Sequence, residues 1–493
     1  MIFSLLSCFT RRAVSALAVV LALSACDFLA LRGVQPDPQV AVYWPETTWD
    51  RGRPAGGQPA TALHWRDYFV APELVALIDT ALQNNRDLRL ALLRVDEARA
   101  VYGIQRAAQF PSLAVAAQGA RSRVPGDLNV SGRSVVASEY QAYAGVSSWE
   151  LDLWGRVRSL KEAALQEYLA TEEAQRAARI TLIAAVAQAY LGLWELDARI
   201  ALAGQTVASR EESYRIFRRR NEVGAVSTLE LTQVETLLNT ARALLVQLQQ
   251  ARALQAHALT QLLGVPQVVA PLAAEHWPDD AVFAPLKVGL PAELLTARPD
   301  IRAAEKRLAA AQANVQAARA AFFPRIALTG SLGTASAQLD GLFASGSRAW
   351  TFVPSISLPI FDGGLRQAGL DLAAARSHIA VANYERTVQQ AFREVADALS
   401  ARQWLTQQLV IQQQSLATQQ QRARLAQLRY DNGATSYLDV LDAQRDLLEA
   451  QQQSLQVRRR LLASQVDLYT VLGGGSEQSD GSSAELRAAP SSP

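Results

Sequence analysis

The residues best placed to do chemistry are acids. Asp439 and Asp442 stand at i and i+3 at the start of a predicted helix, so their carboxylates share one face. Such a pair can attract cations, or simply complement the positive end of the helix dipole. At the corresponding place earlier in the chain Glu230 stands for the first acid, but Gln233 replaces the second. The four histidines, His64, His257, His276 and His378, occur singly with no Cys or His at ligand spacing, which argues against a metal site. No G-x-x-x-x-G-K-[ST], H-E-x-x-H or G-x-S-x-G is present. The expectation is a protein that is not an enzyme and takes no metal or nucleotide.

The elements that must position these acids follow from the pattern of the chain. Its 493 residues, 49% hydrophobic, suffice for a large core and exclude a disordered or collagen-like chain. Beyond the N-terminus no stretch reads as a membrane-spanning helix. Residues 1–25 read as a signal peptide: Arg11 and Arg12 precede the apolar run AVSALAVVLALSA, which ends just before Cys26. The run Leu23-Ser24-Ala25-Cys26 resembles the lipobox of bacterial lipoproteins, which implies a covalent lipid on Cys26 and no other cofactor. Cleavage there removes Cys8 and two arginines, so the mature chain has no internal disulfide and a formal charge of zero. Nothing suggests capture of nucleic acid. Asp27 departs from the expected pattern, since in enteric bacteria that residue tends to hold lipoproteins in the inner membrane.

The chain is also a duplication. Asp87 and Asp300 each precede a proline, Pro111 and Pro324, by 24 residues, and Gly224 and Gly433 each lie 40 residues before another glycine, Gly264 and Gly473. We divide the chain into an N-terminal segment 26–71, a first repeat 72–264, a connector 265–297, a second repeat 298–473 and a disordered tail 474–493. In each repeat a helix stops at proline and gives way to period-two alternation. Strands are expected at about 112–120 and 140–153, then at 325–333 and 350–361. Leu113, Val115, Ala117 and Gly119 form one apolar face; Tyr143, Trp149, Leu151 and Leu153 another; Ile326 and Leu328, then Trp350, Phe352, Ile356, Leu358 and Ile360, the rest. Glu150, Asp152, Ser355 and Ser357 fall on the polar side. From Gly155 to about Arg220, and from Gly364 to about Tyr430, there is no proline, and some 66 helical residues extend about 100 Å. The returning helices carry leucine every seventh residue, at Leu231, Leu238, Leu245 and Leu259 with Arg252 interrupting, and at Leu441, Leu448, Leu455 and Leu462, the period of a coiled coil. Gly224 and Gly433 mark the turns, with tips near 221–227 and 431–436.

Four strands are too few to close a membrane barrel, and an open edge in hydrocarbon strands its N–H and C=O groups. Either several copies share one barrel or the sheet is soluble and covered by helices. The duplication, the segments Trp149-Glu150-Leu151-Asp152-Leu153-Trp154-Gly155 and Leu358-Pro359-Ile360-Phe361-Asp362-Gly363-Gly364, and the motifs around Tyr430 to Gly433 and Tyr437 to Gln444 resemble the TolC-like outer-membrane factors, in the lipoprotein branch serving RND-type tripartite pumps. The resemblance spans about residues 36–473. It implies a mainly α chain with a small β part: duplicated antiparallel coiled-coil helices forming a trimeric α-barrel in the periplasm, and four strands per chain contributing to a twelve-stranded transmembrane β-barrel. It further implies a homotrimer in outer-membrane lipid, a periplasmic adaptor protein and an inner-membrane RND transporter as partners. Asp439, Asp442 and Glu230 then match the pore constriction. The tips, Gly224, Val226, Ser227, Gly433, Thr435 and Ser436, match the adaptor-docking end. Arg218, Arg219 and Arg220 read either as a solvated cationic face or as part of that site. The function implied is a passive exit duct for small molecules or drugs, opened when its partners dock. A lipid-anchored periplasmic scaffold and a protein-secretion channel are the alternatives.

Overall fold

The computed structural model describes residues 36, 58–266, 270, 282–287 and 293–476. The expected signal peptide, Cys26, much of the 26–71 and 265–297 segments, and the tail beyond Ser476 lie outside the described residues. The chain forms two compact units. One contains Val95–Thr171 and Ala304–Glu385; the other contains residues 58–94, Glu172–Ala303 and Arg386 onward.

The first unit holds one antiparallel sheet of β2 (Leu113–Val124), β3 (Val135–Glu150), β5 (Arg325–Ser336) and β6 (Arg348–Ser357), in the order β2-β3-β5-β6. Two hairpin loops close one end of the sheet. The other end joins the helices that precede β2 and β5 and follow β3 and β6, so β2 and β6 are edges. Because cross-strand partners point to one side, the register sorts the side chains into two faces. Leu113, Val115, Val146, Trp149, Leu328, Leu332, Trp350, Phe352 and Ile356 lie on one; Gln118, Gln141, Glu150, Thr329, Ser331, Thr351, Ser355 and Ser357 lie on the other. The apolar face is bare: Val115 is 85% exposed, Ile356 73% and Trp350 69%. The polar face bonds to itself, with Gln118 Nε2 donating to Gln141 Oε1 at 3.1 Å and the Ser331 and Thr351 hydroxyls 2.7 Å apart.

Two expectations need correction here. Period-two counting placed Tyr143 with Trp149, but Val146 pairs with Gly330 and Trp149 with Leu328, so three steps on β3 oppose two on β5. This bulge, with Ser148 at φ 48°, reverses the alternation and sends Tyr143 to the polar face. Nor does alternation continue to Leu153 and Ile360. β3 ends at Glu150 and β6 at Ser357 because the next acids turn the chain into helices. Asp152 accepts from the Val157 and Arg158 N–H groups at 3.0 and 2.8 Å, and Asp362 from Gly364 and Arg366 at 3.1 and 3.3 Å, so Asp152 serves a helix start rather than a polar sheet face.

The long helices are α4 (Arg156–Glu222) and α8 (Leu365–Asp431), 67 residues each, returned by α5 (Thr228–Leu263) and α9 (Tyr437–Val471). The first residues of α4 and α8 belong to the first unit and the remainder to the second. α4 contains a window apolar and long enough to cross a membrane, contrary to the expectation that none exists. Most of that window is buried within the chain, where Ile183, Val186, Ala187, Leu191, Leu193 and Trp194 join the main core of the second unit. The heptads also shift. Leu238 and Leu259 are buried, but between them Leu248 is buried and Leu245 only half-buried. Arg252 is accommodated by an ion pair with Asp197 of α4.

The residues before the first repeat enter this core. β1 (Gln58–Pro59) pairs with β4 (Leu286–Lys287), and α1 (Trp65–Tyr68) leads to α2 (Pro72–Asn84) and α3 (Arg86–Ala107). Tyr68 stacks on Tyr469 at 4.4 Å, each hydroxyl donating to a carbonyl on the other's segment, Gln465 and Leu63. The short α6 (Leu294–Ala297) introduces α7 (Pro299–Ala320), the counterpart of α3.

Candidate functional site

Each helix pair of the second unit reverses through a glycine. Gly224 and Gly433 adopt φ of 72° and 69°, a region costing other residues about 1–2 kcal/mol, and open space surrounds both. Ala225 N–H reaches Arg220 O at 2.8 Å and Gly224 N–H reaches Asn221 O at 2.9 Å; Ala434 and Gly433 repeat both bonds on Arg429 and Tyr430. These paired bonds satisfy carbonyls that the ending helix would leave unpaired.

After the turns the hairpins diverge. Ser227 caps α5 and Glu230 reaches back, its carboxylate accepting from Ser227 N–H at 2.8 Å and Oγ–H at 3.0 Å, a reciprocal capping box. In the second hairpin Ser436 makes no side-chain cap bond, and Asp439 accepts from the Thr435 hydroxyl instead. Val226 occupies the Thr435 position in the first repeat and has no hydroxyl to offer. Glu230 and Asp439 are therefore equivalent in sequence and held differently.

Asp442 belongs to a chain of charges that spacing alone did not reveal. It pairs with Arg445 at 3.2 Å; Arg445 pairs with Asp446 at 3.1 Å; Asp446 accepts from Arg422 of α8 at 2.6 Å. The Arg422 guanidinium, seconded by Arg445, holds the Asp446 carboxyl below the usual range although burial opposes it. Asp442 and Asp446 stand at i and i+4 on α9. Arg422 comes from another helix, and no local pattern announces it.

The two hairpins are joined beneath the tips. Phe217, Val234 and Leu441 form a buried cluster, and Tyr437 packs on Phe217 at 4.4 Å while donating its hydroxyl to Ser213 Oγ at 2.8 Å. Arg220 Nη1 donates to the Tyr430 hydroxyl at 2.7 Å. Of the three expected surface cations, Arg220 thus bridges the repeats, whereas Arg218 and Arg219 pair with Glu222 on their own helix. Two turns before Phe217, Arg210 is 3% exposed, and its Nη1 has no hydrogen-bond partner among the described residues. Burial pushes its guanidinium pKa down, with only the Tyr437 side chain opposing.

At the sheet, Glu150 is clamped by Arg156, at 3.0 and 2.7 Å, and by Arg325 at 2.8 Å, which ties the two repeats together at the polar face. Trp154 stacks on Phe323 at 5.0 Å and donates to Pro324 O at 2.7 Å. What the site offers is a pair of acid-bearing hairpins, an amphipathic open sheet and charge clusters of structural kind.

Comparison with known proteins fits this geometry. The family described as outer membrane efflux protein matches residues 77–265 and 290–474, one match on each repeat. Outer membrane protein OprJ of Pseudomonas aeruginosa is 44% identical over 466 residues, covering 94% of this chain and 95% of that protein. The toluene efflux pump outer membrane protein TtgC of Pseudomonas putida is 43% identical, covering 89% and 91%. The open state of the MtrE outer membrane channel of Neisseria gonorrhoeae superposes with a TM-score of 0.80 at 38% identity, covering 90% and 97%.

Proposed function

Because the chain belongs to the outer membrane efflux protein family, we propose that three identical copies close their sheets into one barrel and form a passive exit duct. The protein is an outer-membrane component of an efflux system and not an enzyme. The observation that carries the proposal is the sheet itself, with two unpaired edges, an exposed apolar face and a polar face of Gln, Ser, Thr and Glu. In hydrocarbon both edges must be paired. Two copies would make a barrel of about eight strands, which side chains fill; three leave a lumen.

Within that duct Asp439 and Asp442 would form rings of negative charge at the periplasmic constriction, with Glu230 contributing at a tip already committed to its cap. The tips at Gly224, Val226, Ser227, Gly433, Thr435 and Ser436 would receive a periplasmic adaptor protein, and an RND transporter in the inner membrane would supply the energy. Solutes leave by diffusion, and specificity belongs to the transporter. We also propose that Cys26 carries a lipid; a Cys26→Ser variant should lose label from radioactive palmitate. The test of the whole is conductance: purified chains added to a planar bilayer should give discrete channels. A monomer that conducts nothing would favour the periplasmic scaffold.

A further inference from the structure

The apolar face of the sheet ends in cations. On β2 it runs from Leu113 to Gly119 and is followed, on the same face, by Arg121 and Arg123; on β6 it runs from Ile356 back to Trp350 and is followed by Arg348. Each apolar stretch extends about 20 Å along its strand, and each ends in arginine at the hairpin-loop end. None of the three arginines has an ion-pair partner among the described residues; Arg123 Nη2 reaches only Ser134 Oγ, at 3.4 Å. All three are exposed. The acids nearby lie elsewhere: Glu139 is on the polar face opposite Ala120, and Asp127 and Asp340 are in the loops, where Arg133 adds another cation.

An arginine facing lipid costs about 2–4 kcal/mol at the bilayer midplane and almost nothing at the interface, so Arg121, Arg123 and Arg348 belong at the headgroup level. In the reading proposed above, on which this inference rests, the helical connections lead toward the periplasm and the hairpin loops face outward. These cations then lie at the outer leaflet. β2 and β6 are moreover the two edges of the sheet, so closure edge to edge brings Arg121 and Arg123 of one copy beside Arg348 of the next.

We propose that each seam between copies is a binding site for a phosphate-bearing glycolipid headgroup of the outer leaflet, with Arg121, Arg123 and Arg348 as its cationic ligands. The planar guanidinium matches phosphate through paired N–H···O bonds, and the bare apolar face below takes the acyl chains. The site is incomplete in a single chain and needs two copies.

The test uses the full chain, purified in detergent, with diphosphorylated lipid A and its dephosphorylated counterpart as probes and native mass spectrometry as readout. The wild type should prefer the phosphorylated lipid about tenfold. The triple variant Arg121→Gln, Arg123→Gln, Arg348→Gln should lose that preference while remaining an oligomer, and Arg348→Gln alone should lose part of it. Retention of the full preference by these variants overturns the proposal, as does displacement of the lipid by an equal concentration of inorganic phosphate, which would mark a free-anion site. Quenching of Trp350 by brominated acyl chains, measured as the difference from Trp350→Phe, separates the two failures. If quenching is absent, the membrane reading itself falls; if quenching persists while the arginines prove irrelevant, only this inference falls.

Discussion

Asp439 and Asp442 were legible as a pair because helical spacing puts them on one face, but their restraints were not. One is held by Thr435 and the other by Arg445; Asp439 is exposed and Asp442 half-buried. Replacing both with Ala should raise single-channel conductance and weaken block by divalent cations, and unchanged traces would remove the acids from the constriction. Asp446 lies next to this pair and has a different role. Arg422 lowers its pKa, so its contribution to stability is present above the ordinary carboxylate pKa and fades as pH falls through the lower folded value. Asp446→Asn should therefore cost at most about 1 kcal/mol at neutral pH and nothing in strong acid, as thermal melts across that range would report. Arg210 makes the opposite case. A buried guanidinium whose Nη1 has no partner among the described residues opposes the packing around it, so Arg210→Met should raise the melting temperature, by an amount corresponding to about 1–3 kcal/mol. A lowered melting temperature would show that the charge is satisfied within the assembly.

Among the elements, helices were read more faithfully than strands. The absence of proline and the glycines at the turns announced α4, α5, α8 and α9, since those signals are local. Strand faces depend on an unbroken count of two, and a single bulge before Trp149 reverses the count without leaving a composition signal. The acids Asp152 and Asp362 were similarly ambiguous, because a carboxylate next to a strand end suits a polar face as well as a helix start. The two hairpin caps supply a test at this scale. Ser227→Ala breaks a capping box and should destabilise by about 1 kcal/mol, whereas Ser436→Ala removes a hydroxyl with no cap bond and should cost close to nothing. Equal losses in thermal denaturation would contradict the asymmetry between Glu230 and Asp439.

For the molecule as a whole, the duplication was visible in the spacing of Asp87, Pro111, Asp300 and Pro324, and the family matches fall on the same two repeats. The aromatic core was not visible. Tyr68 and Tyr469 are separated by 401 positions, and no periodicity links residues so distant. The open sheet could be inferred from sequence because four strands with one apolar face leave a physical problem that one chain cannot solve. The most direct test of that claim is the mass of the detergent-solubilised particle by native mass spectrometry. Three chain masses, stable to gentle heating, are the expected result; a particle of one chain, its apolar sheet face still accessible to labelling, would contradict the account.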